Sequence, residues 1–260
     1  MRLDLFLSEN GYAQSRQRAK LMIESGDVEI DGVVIKKPSF TVSEGVHNVR
    51  VRDPLIYVSR GGIKLEAALD AFCVDPQGVC AVDIGASTGG FTDCLLQRGA
   101  RRVYAVDSGD GQLAKKLSSD ARVVSLEHMN ARSMTREDIG EVAELVVMDV
   151  SFISSTYIIP VIPSLLDGRG IFISLIKPQF EVGRAMLGKG GIVKDPAAHL
   201  FAVMRVFECA KEHGFSMTGL IPSPIEGGDG NREFLACFRL GDSCAASWTP
   251  DSIRAFLKGI

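Results

Sequence analysis

From residue 79 onward, short apolar runs alternate with segments of helical periodicity. Runs near 79–84, 102–107, 122–126, 144–150 and 170–176 are rich in Val, Ile, Leu and Ala and read as buried strands, with helical segments between most of them. A helix over about 196–213 and strands near 215–222 and 233–240 bring the count to seven strands. This rhythm predicts an α/β fold, a doubly wound, mostly parallel, Rossmann-like sheet. Thr249-Pro250-Asp251 marks the start of a short terminal helix.

The first 55 residues carry a different pattern. Leu3, Leu5, Phe6 and Leu7 fall on a first helix, Gly11 breaks it, and a second helix starts at a Ser15 cap and stops at Gly26. Short alternating segments follow at Val28–Ile30, Val33–Ile35 and Val46–Val51, with a tight hairpin at Asp31-Gly32. The pattern is that of a small α+β module. The stretch containing Asp53-Pro54 and Gly61-Gly62 reads as connection, so the expected organisation is a module over 1–55, a linker over 56–62 and a larger domain over 63–260.

Composition narrows the function classes. A net charge of −3 over 260 residues gives no global basic field, so an anionic partner must be held by local patches. One candidate patch is at the start, where Arg2, Arg16, Arg18 and Lys20 outnumber Asp4 and Glu9. The six cysteines form no C-x-x-C pair and mostly sit in apolar runs, which points to buried thiols in a reducing compartment rather than to a metal cluster or disulfide framework. Apolar stretches at 157–166 and 171–176 are too short to span a bilayer, and Met-Arg-Leu-Asp does not open a signal peptide. A soluble cytoplasmic protein without a metal is expected.

The run Ala81-Val-Asp-Ile-Gly-Ala-Ser-Thr-Gly-Gly-Phe91-Thr92 reads as a strand turning through glycines into a helix, whose unpaired N–H groups favour an anion. A dinucleotide fingerprint would be G-x-G-x-x-G; here the spacing is Asp83-x-Gly85-x-x-x-Gly89-Gly90. This looser pattern suits S-adenosylmethionine (SAM), and Asp83, Gly85, Ala86, Ser87, Thr88, Gly89, Gly90 and Phe91 are its candidate contacts. Asp107 ends the next strand, roughly 20 residues on, where a ribose-binding carboxylate belongs. Asn130 follows the third strand as a candidate adenine contact. The plain alternative is a strand–loop–helix joint of another kind of α/β protein; the loop, Asp107 and Asn130 falling in order after three strands favour the cofactor.

Ligands of open α/β sheets bind outside the carboxyl ends of the strands. Asp149 ends one apolar strand there and Lys177 another, while Lys64 and Glu233 supply a second lysine and a second acid. In order and setting, Lys64, Asp149, Lys177 and Glu233 resemble the Lys-Asp-Lys-Glu tetrad of FtsJ-like RNA 2′-O-methyltransferases. The motif Ser15-Arg16-x-x-Ala19-x-x-x-Ile23-x-x-Gly26-x-Val28-x-Ile30-Asp31-Gly32 resembles the RNA-binding domain named after the fourth protein of the small ribosomal subunit. With that module in front, and with the flanks Asp149-Val-Ser-Phe152 and Lys177-Pro-Gln-Phe-Glu181, the whole chain resembles the TlyA family of haemolysin A-like proteins, which act as ribosomal RNA cytidine-2′-O-methyltransferases.

The resemblance implies a SAM-type cofactor, a ribosomal RNA or ribosomal-subunit partner and catalysis by the tetrad. A ribose hydroxyl is a very weak acid, so its proton must leave as the oxygen attacks the methyl group; burial and a neighbouring cation favour a neutral, basic lysine. Lys177 is assigned as base and Asp149, also a cofactor contact, as its partner, with Lys64 and Glu233 as positioning groups. The other version keeps the lysines protonated to stabilise an alkoxide. RNA phosphates are expected on Arg2, Arg16, Lys20, Lys36 and Lys37 of the module, on Arg60, and on Arg184 and Lys189 of a glycine-rich stretch that either closes over the strand or merely connects. By the same resemblance, only Met1 before Arg2-Leu3-Asp4 suggests a 23S rRNA target, with 16S rRNA the weaker expectation. Competing classes are a non-catalytic ribosome-assembly factor, a membrane-lytic protein and a pseudouridine synthase; the intact tetrad, the short apolar segments and the SAM-type loop argue against each in turn.

Overall fold

A computed structural model describes residues 1–13, 16–43, 45, 48–51, 56–227, 230–241 and 247–260. Ser15, Val46, Asp53 and Pro54, named above, lie outside the described residues, as do Cys244 among the six cysteines and the side chain of Arg18. The chain forms two compact units, Met1–Ile56 and Tyr57–Ile260.

In the first unit, helices α1 (Leu3–Glu9) and α2 (Arg16–Ser25) pack on strands β1 (Val28–Ile30), β2 (Val33–Val34) and β3 (Val49–Val51), arranged β2-β1-β3. Leu3, Leu7, Ala19, Met22, Ile23 and Val28 are buried, the helical spacing having placed them on one side. Gly26 closes α2 with φ +85°, and Asp31 and Gly32, both at positive φ, turn the β1–β2 hairpin.

The second unit contains α3 (Gly61–Ala71), β4 (Cys80–Ile84), α4 (Gly90–Gln97), β5 (Arg102–Val106), α5 (Lys115–Ser118), β6 (Val123–Leu126), α6 (Arg136–Ile139), β7 (Ala143–Met148), α7 (Ile162–Leu165), β8 (Leu166–Ile176), α8 (Pro178–Glu181), α9 (Pro196–Glu212), β9 (Phe215–Pro222), β10 (Phe234–Leu240) and α10 (Pro250–Lys258). Among the described residues its seven strands run in the order β6-β5-β4-β7-β8-β10-β9. The first five are parallel, and β10 inserts antiparallel between β8 and β9. Both faces are apolar because helices cover both, which is why the central strands read as continuous hydrophobic runs rather than alternating ones. The strand order reverses beside β4, so a crevice opens at the ends of β4, β5 and β7.

Residues 57–60, assigned to the linker from sequence, pack into this second unit. Tyr57 is buried, its hydroxyl donates to Glu66 Oε1 at 2.9 Å, and Val58 N donates to Asp93 Oδ2 at 2.8 Å.

Candidate active site

The glycine loop is shaped by close approach. At Gly85, φ is +84° and an added Cβ would sit 2.5 Å from the backbone oxygen of Asp149, so only glycine lets the chain pass the end of β7. Gly89, at φ +93°, caps α4, and a Cβ on Gly90 would collide with Ser59 Oγ. Asp83 supports the loop from below: it is wholly buried, and its Oδ2 accepts from Thr92 N at 2.8 Å and Thr92 Oγ1 at 2.6 Å. Asp83 Oδ1 has no hydrogen-bond partner among the described residues. Burial pushes the Asp83 carboxyl up to about 7, the Thr92 bonds opposing and the Asp149 charge assisting.

Beside the loop lies a cleft of about 400 Å³. Five expected cofactor residues line it, namely Gly85, Ser87, Asp107, Asn130 and Asp149, over an apolar floor that includes Val106, Met129 and Ile158. Asp107 accepts from Ser87 N at 2.7 Å and Gly109 N at 2.8 Å through different oxygens, each of which keeps a second lone pair. Asn130 Oδ1 accepts from Arg132 N at 3.1 Å. The remaining candidates lie off the cleft: Ala86 and Phe91 are buried, Phe91 in the core, and Thr88 is exposed. Asp83, Gly89 and Gly90 build the turn rather than line it.

The four tetrad positions converge on the carboxyl ends of β7 and β8 and the start of β10. In the antiparallel β8–β10 ladder, Phe234 faces Ile176, so Lys177 and Glu233 occupy the next step of the same register. Asp149 follows β7, its N–H held by Ile84 O at 2.9 Å. Lys177 Nζ lies 2.6 Å from Asp149 Oδ1 and donates to Ser151 Oγ at 2.8 Å. The approach to Asp149 is off the hydrogen-bond direction, and Ser151 takes the directed bond. From α3, Lys64 donates to Glu233 Oε2 at 2.5 Å, the two side chains being 10% and 2% exposed. The other Glu233 oxygen occupies the space beside Gly227, where an added Cβ would come within 2.5 Å of it. Each lysine therefore has a carboxylate against it, and the two pairs stand side by side at strand ends.

Several residues of the site escape sequence reasoning. Phe152, in the cleft wall, is 93% exposed with φ +64°, and its ring centroid is 5.3 Å from that of Phe180. Ser151, which Lys177 touches, and Glu181, which is buried, belong to the same two flanking segments. The only sequence signal for them was the pair of motifs around Asp149 and Lys177.

The expected RNA cations are all exposed, though not all unpaired. Arg2 and Arg16 both reach the buried Asp4 carboxylate, each Nε at 3.0 Å, and hold it down to about 2, the Arg2 hydrogen bond being the largest cause. Lys20 is 3.9 Å from Glu24; Lys36 and Lys37 follow the hairpin. In the second unit, Arg60 precedes α3, and Arg184 and Lys189 sit on two short 3₁₀ turns, Arg184–Met186 and Lys189–Gly191. That stretch is pinned at its end by the buried Asn231, which accepts from Val193 N at 2.8 Å and donates to Gly191 O at 3.2 Å. Among the described residues no group of His, Cys, Asp and Glu is placed to hold a metal, and no helix is long and apolar enough to cross a membrane.

A seven-stranded sheet with one antiparallel insertion and a glycine turn after its central strand is the architecture of the doubly wound methyltransferases. The chain belongs to the FtsJ-like methyltransferase family, whose model matches residues 57–240, and an S4 domain matches residues 1–47. It is 44% identical over 239 residues to the 16S/23S rRNA (cytidine-2′-O)-methyltransferase TlyA of Mycobacterium tuberculosis, covering 92% of this chain and 89% of that one. The 23S rRNA (cytidine-2′-O)-methyltransferase TlyA of Campylobacter jejuni is 32% identical, with 90% and 98% covered. A solved structure from Streptococcus thermophilus that carries the hemolysin label is 40% identical, with a TM-score of 0.79 over 100% of this chain and 94% of that one.

Proposed function

We propose that this protein transfers the methyl group of SAM to the 2′-oxygen of a cytidine in ribosomal RNA, with 23S rRNA as target, in the cytoplasm. The observation that carries the reading is the pair of lysine–carboxylate contacts, Lys177 with Asp149 and Lys64 with Glu233, at adjoining strand ends beside a glycine loop. The names of the Mycobacterium and Campylobacter relatives support the substrate.

The chain's residues fit the cofactor. The cleft is within the ordinary size of small-molecule sites, about 300–1,000 Å³, and the Asp107 lone pairs match ribose hydroxyls. Val106, Met129 and Ile158 offer an apolar face for the adenine, with Asn130 as its polar contact. Bound there, SAM supplies an electrophilic methyl group. In the proposed mechanism, Lys177 takes the ribose hydroxyl proton at Nζ as the oxygen attacks, Asp149 balances the resulting ammonium, and Lys64 with Glu233 fixes the nucleotide. Phe152 presents an exposed ring on which an unstacked base lies. Arg2, Arg16, Lys20, Lys36, Lys37, Arg60, Arg184 and Lys189 serve as phosphate contacts.

The test is methyl transfer from labelled SAM to free 23S and 16S rRNA and to both ribosomal subunits, taken from cells lacking the modification, with wild type and Lys177→Ala in parallel. Label on a cytidine ribose with wild type alone supports the reading. Binding of RNA with no incorporation into any substrate overturns it in favour of a ribosome-assembly role.

A further inference from the structure

Two segments meet at the edge of the cleft. Residues 149–153 line it and carry Asp149, Ser151 and Phe152, continuing into Ser154 and Ser155; residues 177–181, with Lys177 and Phe180, lie against that segment outside the cleft. They touch at the top through Lys177 with Asp149 and Ser151, and through the two phenyl rings. Underneath, Glu181 joins them a third time. Its side chain is 1% exposed; Oε2 accepts from Ser154 Oγ at 2.5 Å and Oε1 accepts from Ser155 N at 2.7 Å. The Ser154 hydroxyl is itself held by Thr156 at 2.7 Å, and the Glu181 backbone oxygen accepts from Arg205 at 2.6 Å, which ties the base of the latch to α9.

Burying a carboxylate against two neutral donors is costly unless the bonds are kept, and a bond to a charged group is stronger than its neutral counterpart. A plain turn between β7 and the following helix needs no such group. What this one holds is unusual: Phe152, nearly fully exposed, in a left-handed backbone conformation that a phenylalanine adopts only under external constraint.

We propose that Glu181 is a positioning residue for the methyl-transfer reaction, acting through Ser154 and Ser155 to hold Phe152 and Ser151 in the place where the substrate nucleotide docks. The inference rests on the function proposed above. It makes no claim on the cofactor, because Glu181, Ser154 and Ser155 do not line the cleft.

The experiment is a double-mutant cycle on full-length protein with ribosomal RNA as substrate, comparing Glu181→Gln, Phe152→Ala and the double variant for kcat, KM and SAM affinity. If Glu181 acts through Phe152, Glu181→Gln lowers kcat/KM for RNA by about tenfold, the scale of one weakened buried bond. SAM affinity then stays level, and most of the loss disappears in the Phe152→Ala background, the remainder passing through Ser151. Ser154→Ala, which removes one bond and leaves the carboxylate, gives a smaller loss of the same kind and guards against a misfolded Glu181 variant. Additive losses, or a fall in SAM affinity matching the fall in rate, overturn the proposal. Absence of ribose methylation by wild type defeats the function itself and is read separately.

Discussion

Lys64 and Glu233 lie 169 residues apart in sequence and meet at 2.5 Å in a site where neither side chain is more than 10% exposed. Removing one partner leaves a buried charge with nothing against it, which costs about 3–5 kcal/mol, whereas removing both together is much milder. Lys64→Met and Glu233→Leu should therefore each lower the denaturant midpoint strongly, and the double variant should recover most of that stability while staying inactive. Urea titrations of the four proteins measure this; equal, additive losses would show that the pair is not coupled.

The Lys177 contacts predict a different signature. Lys177 contacts Asp149 and donates a hydrogen bond to Ser151, but Asp149 is 22% exposed, so Lys177 supports no buried partner as Lys64 does. Lys177→Ala should leave the melting temperature within a few degrees of wild type and should lower kcat by about 10²–10⁴, the usual contribution of general acid–base catalysis. Calorimetric binding of SAM and single-turnover methyl transfer separate the two; a collapse of SAM affinity in place of kcat would assign Lys177 to the cofactor.

Phe152 sets stability against activity. A phenylalanine at φ +64° is strained by roughly 1 kcal/mol or more, and its 93% exposure means that little burial offsets the strain. Phe152→Gly removes the strain, so that variant should be as stable as wild type or more so, while losing catalytic efficiency on RNA. Thermal melts and kcat/KM on the same preparations decide it, and a destabilised variant would mean that the contact with Phe180 outweighs the backbone.

How much of this was legible in the sequence differs by residue. The succession of strands, the glycine loop, Asp107, Asp149 and Lys177 are legible because polar residues ending apolar strands stand out against them, whereas Lys64, inside α3, and Glu233, just before β10, are legible only through the resemblance to the tetrad. Gly85 shows the limit of that: the spacing marked it, but its reason, the approach of the Asp149 carbonyl, depends on a strand that arrives 64 residues later. Phe152 and Glu181 show in the sequence only as members of a motif, because positive φ and burial are set by packing between distant segments. Tyr57 falls in the expected linker because nothing nearby in sequence shows that its ring fills the space beside Gly62.

In the first unit, Arg2 and Arg16 make a structural contact, besides the phosphate contact proposed for them, that Lys37 does not share. Both clasp the buried Asp4, so Arg16→Ala should weaken RNA binding and also destabilise the unit at neutral pH, while Lys37→Ala should weaken binding only. Each lost phosphate contact should reduce the salt slope of RNA affinity by about one. Binding titrations across a salt series, with melting curves beside them, test the distinction; Arg16→Ala losing stability without any change in RNA affinity would remove it from the interface.

Asp83 predicts a pH dependence of unusual sign for a carboxylate. Its folded value, about 7, is above the unfolded 3.8, so the folded protein binds this proton more tightly than the unfolded chain does. The stability it contributes is complete below about pH 4 and is lost as pH rises through 7, at up to about 1.4 kcal/mol per pH unit between those limits. Asp4 works the other way, but its stability is lost only as pH falls from 3.8 toward 2 and leaves the neutral range untouched. In Asp83→Asn the side-chain oxygen still accepts from Thr92 and no charge forms. That variant should gain on wild type steadily between pH 5 and 7.5, with the two proteins converging at the acid end. Denaturant unfolding at half-unit pH steps measures the difference, and parallel curves for the two proteins would show that Asp83 does not titrate in this range.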